Sequence, residues 1–444
     1  MVSDWEVSTL GELAEIVMGQ SPKGADCNSD GHGTPLLNGP TEFGSNHPHP
    51  TQFTTHPKKF SKKDDLLFCV RGSTTGRMNW SDKEYAIGRG LAAFRHKKGK
   101  EFQSFLKGVI DIKLPELLAS ATGSTFPNVS KNQLNDLEVI LPPLIEQKAI
   151  AHILGSLEDK IELNRQINET LEAMAQALFK SWFVDFDPVI DNVLAAGNAI
   201  PDEMLERAKQ RKGIEKKDNA DIQDLFPDEF EFTEEIGWIP KGWAVDSVEN
   251  LIEINPRITL KKGTVAPHAD MKALPESGYS IDGVVQKAYS GGTKFENRDV
   301  LFARITPCLE NGKTGLVDFL KPKEVGFGST EFIVLREKDD IKMEFVACLA
   351  RNSEFRLHAQ QSMVGSSGRQ RVQNACFSSF YLALPKDNGK LLKLFNETTA
   401  VNFDNISILA NECQTLAKLR DTLLPKLMSG EVRIPDAEAL VENV

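Results

Sequence analysis

Apolar residues recur at steps of three and four along two stretches of the chain, which is the spacing of one helix face. The stretches run from Ile150 to Trp182 and from Ile406 to Leu427. The pattern predicts two long helices, each with one apolar stripe. A helix over 150–182 would be about 50 Å long at about 1.5 Å per residue, too long to bury its stripe on one small module. We therefore expect the two stripes to pack on each other. The first stripe consists of Ile150, Leu154, Leu157, Ile161, Ile167, Leu171, Met174, Leu178 and Trp182.

An internal repeat sets the direction of these helices. The opening WEVSTLGELAEI of residues 5–16 matches WAVDSVENLIEI of residues 243–254, and the run from Asp65 to Phe68 matches the run from Asp299 to Phe302. In each copy an arginine follows that run, and we pair Arg71 with Arg304. Matches at the far ends of the copies are Gly123-Ser124 with Gly365-Ser366, Val129 with Val372, and Leu141-Pro142 with Leu384-Pro385. The order is module, helix, module, helix, so the second helix can return along the first and the pair should be antiparallel.

Short β-rich runs bounded by Gly, Pro, Asn and Ser, such as 136–141 and 331–335, make both modules mixed in secondary structure. The predicted fold class is therefore α+β, with two mixed α/β modules in tandem. Each module is followed by a long helix, and the helices pack as an antiparallel coiled coil with pseudo-two-fold symmetry. Asn164 and Glu412 interrupt the stripes, and either set the register of the helices or lie at solvated edges.

The repeat divides the chain into six segments. The central connector is rich in charge, and a helix is predicted in it over Asp202–Arg211, but its sequence does not indicate a function. The predicted boundaries are 1–145 for the first module, 146–184 for the first helical spacer, 185–242 for the acidic connector, 243–386 for the second module, 387–430 for the second helical spacer and 431–444 for a C-terminal tail.

Composition changes this picture in one respect. The 444 residues carry 52 Lys and Arg against 63 Asp and Glu, a net charge of -11 that argues against a simple basic nucleic-acid binder. Residues 146–242 hold 11 basic and 21 acidic side chains, whereas the first module holds 16 of each kind and residues 243–385 hold 18 and 17. Both modules are thus near neutral, and either one can present a basic face to phosphates.

The remaining composition indicates a reduced, cytoplasmic protein. The six cysteines are scattered without a CxxC pair, so neither a disulfide framework nor a thiolate zinc site is expected. No apolar run reaches the roughly 18 residues of a membrane span, and the first residues do not have the pattern of a signal peptide.

Each catalytic motif that we considered is absent from the sequence, incomplete, or in the wrong structural context. The tetrapeptides and glycine-rich turn of adenine methyltransferases do not occur. Residues 310–315 are similar to the end of a phosphate loop, but Pro307 stands where its first glycine would be, so we interpret them as a turn. Pro201-Asp202 and Glu215-Lys216-Lys217 have the spacing of a metal-dependent nuclease site, but their charged, helix-prone context argues against it. The histidines at 47, 49 and 56 have no partner at metal-ligand spacing and indicate a polar loop.

Positive and amide side chains in loops rich in Gly, Ser, Thr and Asn form the candidate site in each module. Arginine can pair with guanine edges, Asn and Gln with adenine, and hydroxyl and backbone N–H groups with phosphates. Charged surface loops are common, so the pairing of similar loops across the copies supports the group more than any single member. The candidates are Arg71, Ser73, Thr74, Arg77, Asn128 and Lys131 in the first module, and Arg304, Asn311, Lys313, Arg369, Gln370 and Arg371 in the second.

At several stretches the chain resembles the specificity subunits of type I restriction-modification enzymes. They include the opening residues 5–16, the LPPLIEQ helix entry at 141–147, LNRQINETLE at 163–172, ALFKSWFVDF at 177–186 and IPKGW at 239–243. The resemblance covers essentially the whole length of the chain, and these stretches together are highly specific to the family.

The resemblance implies a non-catalytic subunit whose two target recognition domains each read half of a split, asymmetric site in double-stranded DNA. Exchange of one module should change one half-site, and longer helices should change the spacer between half-sites. Two modification subunits with S-adenosylmethionine would methylate adenine, and restriction subunits with ATP and Mg would cleave. Two alternatives remain: a coiled-coil adaptor that does not bind DNA, and a stand-alone methyltransferase or nuclease with degenerate motifs.

Overall fold

A computed structural model of the chain describes residues 5–121, 127–213, 220–366, 368–386 and 389–432, together with residue 434. Gly123, Ser124, the Glu215-Lys216-Lys217 run and most of the predicted tail lie outside these residues. The chain forms two compact units, which are residues 1–164 with 412–444, and residues 165–411. The division falls inside both long helices. The bounds of the six predicted segments stay a prediction.

Unit one contains the first module, which is built from two sheets and a two-stranded antiparallel pair of its first and last strands. Its helices are α1 Leu10–Leu13, α2 Gln103–Ser120 and α3 Lys131–Asn135. Its strands are β1 Glu6–Thr9, β2 Ala14–Met18, β3 Cys27–Asn28, β4 Thr34–Leu37, β5 Gln52–Thr54, β6 Phe60–Ser61, β7 Leu66–Cys69, β8 Met78–Trp80, β9 Tyr85–Ile87, β10 Leu91–His96 and β11 Glu138–Leu141.

The two sheets of the first module have different burial. The inner sheet has the order β2-β10-β7-β8, and the outer sheet has the order β3-β5-β4-β9-β6. Strand β7 reads Leu-Leu-Phe-Cys and is buried on both faces, so its apolar run is continuous rather than alternating. Local caps fix the short helices, since the Thr9 hydroxyl accepts from the Glu12 amide and Ser130 forms a capping box with Gln133.

The first long helix, α4, spans Leu144–Phe183, and a small subdomain follows it. The helices of this subdomain are α5 Asp187–Ala196, α6 Leu205–Lys212 and α7 Ala220–Gln223, and its strands β12 Phe230–Thr233 and β13 Gly237–Pro240 form a hairpin. Arg207 and Arg211 on α6 each bind a carboxylate of α5, Asp187 and Asp191, through two nitrogens. The predicted helix over 202–211 is thus confirmed as a 3-10 turn that continues into α6.

The second module lies in unit two. Its strands are β14 Trp243–Ser247, β15 Glu253–Ile254, β16 Val265–Ala269, β17 Val285–Ala288, β18 Thr293–Phe295, β19 Val300–Ala303, β20 Thr314–Leu316, β21 Gly326–Gly328, β22 Phe332–Arg336 and β23 Tyr381–Pro385. Its helices are α8 Val248–Leu251, α9 Met343–Arg351 and α10 Ser353–Gln361, and the second long helix α11 spans Lys390–Ser429.

The second module repeats the inner sheet of the first strand by strand, and its outer sheet repeats four of the five strands, all except β3. Its inner sheet has the order β15-β22-β19-β20, and its outer sheet has the order β17-β16-β21-β18. Both outer sheets contain one parallel pair, β4 with β9 and β16 with β21. A buried ion pair is repeated as well, because Asp65 binds Arg95 through two nitrogens and Asp299 binds Arg336 in the same way. The predicted repeat and fold class are confirmed.

The two long helices run antiparallel within each unit, as predicted. In unit one the stripe of α4 packs against Leu416, Leu423 and Leu427 of α11, and the Asn164 amide donates to Glu412 Oε2 over 2.7 Å. The two interruptions of the stripes therefore pair with each other, and Asn164 is fully buried. This contact favours the register interpretation over solvated edge positions.

In unit two the same helices pack through aromatic residues. Phe179 and Phe183 of α4 contact Phe395 of α11 and Phe345 of α9. Part of the predicted stripe is not buried there, since Ile167 is 38% exposed and Met174 is 57% exposed. Helical spacing identified the apolar face correctly but could not indicate how much of that face the second helix covers.

Candidate nucleic-acid interface

In the first module, the loop after β7 meets the segment before α3. Arg71 and Asn128 form an antiparallel bridge, and Arg71 Nε donates to Asn128 Oδ1 over 3.3 Å. The Thr75 hydroxyl donates to the Pro127 carbonyl and ties the loop to the same segment. We call this contact the junction of the module. The structure thus brings together Arg71 and Asn128, two candidates that are 57 residues apart in sequence.

The second module has the same junction with different side chains. Ile305 and Arg371 form the antiparallel bridge, and the Arg371 guanidinium binds the Glu331 carboxylate through Nε and Nη2 over 2.9 and 2.7 Å. This pairing lowers the pKa of the Glu331 carboxyl, and the positive charge of Arg304 acts in the same direction. Arg304 donates to the Val372 carbonyl, while its Nε has no partner among the described residues.

The hydrogen bonds correct one predicted equivalence. The Val129 amide donates to the Val70 carbonyl, and the Val372 amide donates to the Arg304 carbonyl, so Arg304 matches Val70 rather than Arg71. The counterpart of Arg71 is Ile305. The sequence comparison was one residue out of register, because two arginines near the same offset suggested a match that the backbone pairing does not support.

Arg77 and Lys313 occupy equivalent positions, since each carbonyl accepts from the residue that ends the preceding central strand, Cys69 or Ala303. Each side chain binds the backbone of its own module. Arg77 donates to the carbonyls of Pro40 and Phe43, and Lys313 donates to the Leu274 carbonyl over 2.8 Å. In this structure both cations hold the loop that follows the central strand of the outer sheet.

The other candidates differ in their exposure to solvent and in their hydrogen-bond partners. Ser73, Thr74 and Lys131 are exposed. Asn311 donates to Glu276 Oε1 over 3.3 Å, and the Gln370 backbone exchanges hydrogen bonds with Thr306. Within the described ranges, the exposed Arg369 guanidinium has no hydrogen-bond or ion-pair partner. Whether any of the twelve candidates contacts DNA stays a prediction.

A surface that the sequence predictions did not include lies on the outer sheet of the second module. Its strand register sets Val285, His268, Phe327 and Lys294 side by side in one row. The matching row of the first module is Gln52, Leu36, Ala86 and Phe60. The opposite face of the same sheet is core, where Ala269 and Phe295 are fully buried. We call the side that carries Lys294 the outer-sheet face.

A sequence signal for this surface exists, although it is not a motif. Residues 255–269 and 285–295 contain five Lys and Arg and no Asp or Glu. The signal is hidden by the charge of the whole chain, and the two segments become neighbours only when β16 pairs with β17.

Unit two also has a groove beside α4. It has a volume of about 620 Å³, and its lining includes Glu172, Gln176, Tyr279 and Arg351. Burial raises the pKa of Glu172 to about 7, although the positive charge of Arg351 opposes this shift. The Arg351 guanidinium donates to the backbone carbonyls of several residues and lies 5.4 Å from the centre of the Tyr279 ring. These contacts hold the groove together as part of the fold.

The other sequence interpretations can be compared with the structure. Residues 306–312 are a turn that leads into β20. The predicted turn over 310–315 is therefore correct for 310–312, whereas Thr314 and Gly315 belong to the strand. The His47 ring contacts the Trp80 carbonyl and the His56 ring contacts Asp26. In the described part of the chain, no cluster of His, Cys, Asp and Glu could hold a metal ion, and no helix is long and apolar enough to cross a membrane.

Comparison with known proteins gives the class of this fold. The model of the type I restriction modification DNA specificity domain matches residues 2–173. The solved structure of the S subunit of a type I restriction-modification system from M. genitalium aligns over 96% of both chains, with a TM-score of 0.54 and 14% identity. That likeness shows that the tandem fold is the fold of an S subunit.

Two relatives extend the comparison. The putative type I restriction enzyme MjaX specificity subunit of Methanocaldococcus jannaschii is 37% identical over 171 residues, which are 38% of this chain and 40% of that protein. The type I restriction enzyme HindI specificity subunit of Haemophilus influenzae is 24% identical over 408 residues, which are 84% of this chain and 88% of that protein. The chain is thus similar to type I restriction enzyme specificity subunits, through a family model over residues 2–173 and through a relative aligned along most of its length.

Proposed function

We propose that this chain is the non-catalytic, sequence-reading subunit of a type I restriction-modification complex. Each module would read one half of a bipartite, asymmetric site in double-stranded DNA. The observation that carries this proposal is the pair of junctions. The backbone bridge is the same in both modules, but its side chains are Arg71 and Asn128 in one module and Ile305 and Arg371 in the other. A conserved frame with different polar side chains suits two half-sites of different sequence.

The chemistry would come from partner subunits. Two modification subunits would methylate adenine with S-adenosylmethionine, and restriction subunits would use ATP and Mg to cleave. Exposed apolar side chains on the two long helices of unit two favour a protein partner there, since Met174 is 57%, Val401 60% and Ile408 63% exposed. Such a complex would act on DNA in the cytoplasm.

The twelve candidate residues would not contribute equally. Arg71 and Arg369 are exposed, and neither forms an ion pair with a carboxylate in the described part of the chain, so either can reach a base edge without breaking one. To contact a base, Arg371 first has to break its ion pair with Glu331. Arg77 and Lys313 already donate hydrogen bonds to loops of their own modules. We therefore expect Arg71 and Arg369 to read bases directly, and Arg371 to do so once it has left Glu331. Arg77 and Lys313 should support the loops.

The test is selection from random duplexes by the full chain co-expressed with its modification subunits. The expected result is one enriched motif with two specified parts separated by unspecified bases. The chain without modification subunits serves as a control and should not methylate DNA. A complex that assembles and enriches no sequence would contradict the proposal and favour an adaptor. Methylation or cleavage by the purified chain alone would favour a stand-alone enzyme.

A further inference from the structure

The outer-sheet face of the second module combines cations with aromatic rings. His268 packs against Phe327 with ring centres 4.8 Å apart, and Tyr289 packs against the same ring at 5.1 Å. Lys294 Nζ lies 5.8 Å from the centre of the Tyr289 ring. Lys287 stands on β17 two residues from both Val285 and Tyr289, so alternation along the strand puts it on the same face.

Further cations lie beside this face. The Gly263 amide donates to the Tyr289 carbonyl and the Tyr289 amide donates to the Thr264 carbonyl, each over 2.8 Å. These bonds fix the turn that contains Lys261 and Lys262 next to Tyr289. Arg257 lines a groove of about 370 Å³ together with Lys294. The five cations Arg257, Lys261, Lys262, Lys287 and Lys294 therefore occupy one continuous part of the surface.

These five cations are not neutralised. In the ranges that the structure describes, none of them forms an ion pair with a carboxylate, and all except the half-buried Lys294 are exposed. The two segments that carry them, 255–269 and 285–295, contain no acidic residue, although the whole chain has a net charge of -11. Burial lowers the pKa of His268, and the positive charge of Lys287 acts in the same direction.

Strand β17 is an exposed edge strand of this surface. All four of its residues are exposed, and Val285 is 55% exposed. The strand pairs only with β16 and lies at the edge of its sheet. The exposed edge of a sheet can lie along a duplex with its lysines near the phosphates.

We propose, on the basis of the DNA-reading function above, that the outer-sheet face and the Lys261–Lys262 turn bind the sugar-phosphate backbone of the half-site that the second module reads. Charge complementarity carries this assignment, because a duplex is a dense polyanion and the five cations of this surface form no ion pair with a carboxylate in the described part of the chain. The junction side chains of the same module would then supply base contacts, and this surface would supply position and affinity.

The first module does not share the feature. Its matching segments, residues 19–37 and 52–60, contain Lys23, Lys58 and Lys59 together with Asp26 and Asp30. Its matching row contains no charged side chain. The proposal is therefore specific to one half-site.

The experiment measures affinity of the full chain with its co-expressed modification subunits for a duplex that carries the selected site, at several salt concentrations. The double variant Lys287→Ala/Lys294→Ala should make the slope of log affinity against log salt less steep by about 1.8, since about 0.9 is expected for each lost phosphate contact. The selected motif should stay the same. The control Lys390→Ala/Lys393→Ala removes the same charge from exposed residues of α11 and should leave the slope unchanged.

The Lys287→Arg/Lys294→Arg variant keeps both charges and should restore the slope, which separates charge from any effect on folding. An unchanged slope in the alanine variant, or a changed motif at an unchanged slope, would overturn the phosphate assignment. If the unmutated complex itself selects no sequence, the DNA-reading function fails instead, so the two failures are distinguishable.

Discussion

The two junctions place an arginine on opposite sides of the same backbone bridge. In the first module the arginine, Arg71, lies on the loop after the central strand of the inner sheet, and in the second module the arginine, Arg371, lies on the segment opposite that loop. Among the described residues only the second arginine meets a carboxylate, because Glu331 occupies the position of Gly90. The two modules therefore keep the same backbone hydrogen bonds, although the arginine lies on opposite sides of the bridge in the two copies.

The outer sheets differ in the same way. Lys294 in the second module corresponds to Phe60 in the first, and His268 corresponds to Leu36. The fold therefore determines where a side chain stands, and the sequence of each copy determines what it can bind. Experiments that change one module at a time test whether the two copies bind different partners with the same backbone.

The largest expected effect concerns the feature that both modules share. Asp65→Ala and Asp299→Ala each leave an arginine without its buried carboxylate partner. Each should lower the free energy of unfolding by about 3–5 kcal/mol, measured by chemical denaturation. The control Asp421→Ala breaks a pair whose aspartate is 66% exposed and should cost at most about 1 kcal/mol. A loss under about 1 kcal/mol in either module would contradict the equivalence of the two ion pairs.

The next effect separates the modules. Arg71→Ala should weaken selection of one half-site by about 1–3 kcal/mol if the side chain contacts guanine, and leave the other half-site unchanged. Arg371→Ala should affect the other half-site. Selection from random duplexes with each complex measures both. If selection by the Arg71 variant is unaltered, that residue does not read bases.

Glu331→Gln tests the difference at the junctions. The substitution removes the negative charge that binds Arg371 and should raise DNA affinity by about 1 kcal/mol, with a steeper salt dependence. The matched control Glu15→Gln changes a carboxylate that pairs with Arg95 in the inner sheet of the first module, and should leave DNA affinity unchanged. Equal affinity for the Glu331 variant and the unmutated complex would mean that the ion pair does not compete with DNA.

A smaller effect is expected from Glu172 in the groove of unit two. Because its pKa in the folded chain is about 7, above the ordinary value of 4.5, the folded state keeps a proton that the unfolded state has already lost. Stability should therefore fall as the pH rises from about 5 to 7. Glu172→Gln should remove that slope and gain on the order of 1 kcal/mol at pH 8, measured by denaturation. A slope that persists in the variant would assign it to another group.

The sequence predicted features that depend on local interactions better than features that depend on contacts between distant parts of the chain. Several features were predicted correctly, since each rests on local spacing or on a direct match between copies. They are the repeat, the antiparallel helices, the strands near 138–141 and 332–336, and the turn before β20. The pairing of Asn164 with Glu412 was left open, because two polar interruptions in separate stripes do not reveal whether they meet.

Features that depend on strand pairing were missed or placed wrongly. The match of Arg71 with Arg304 was one residue out of register, and the outer-sheet face was not found because its cations come from segments on two strands. The ion pair between Arg371 and Glu331 also could not be predicted from the sequence, since these residues are 40 apart in the chain. Local chemistry identified candidate loops, and the partners of each side chain required the structure.

The most direct test of the central claim is sequencing of DNA methylation motifs in cells that contain the chain and its modification subunits. The unmutated chain should give one bipartite motif. A variant at Arg71 should relax only one half of it, and a variant at Arg371 only the other half. A continuous motif, or variants in either module that alter both halves alike, would contradict the claim that each module reads its own half-site.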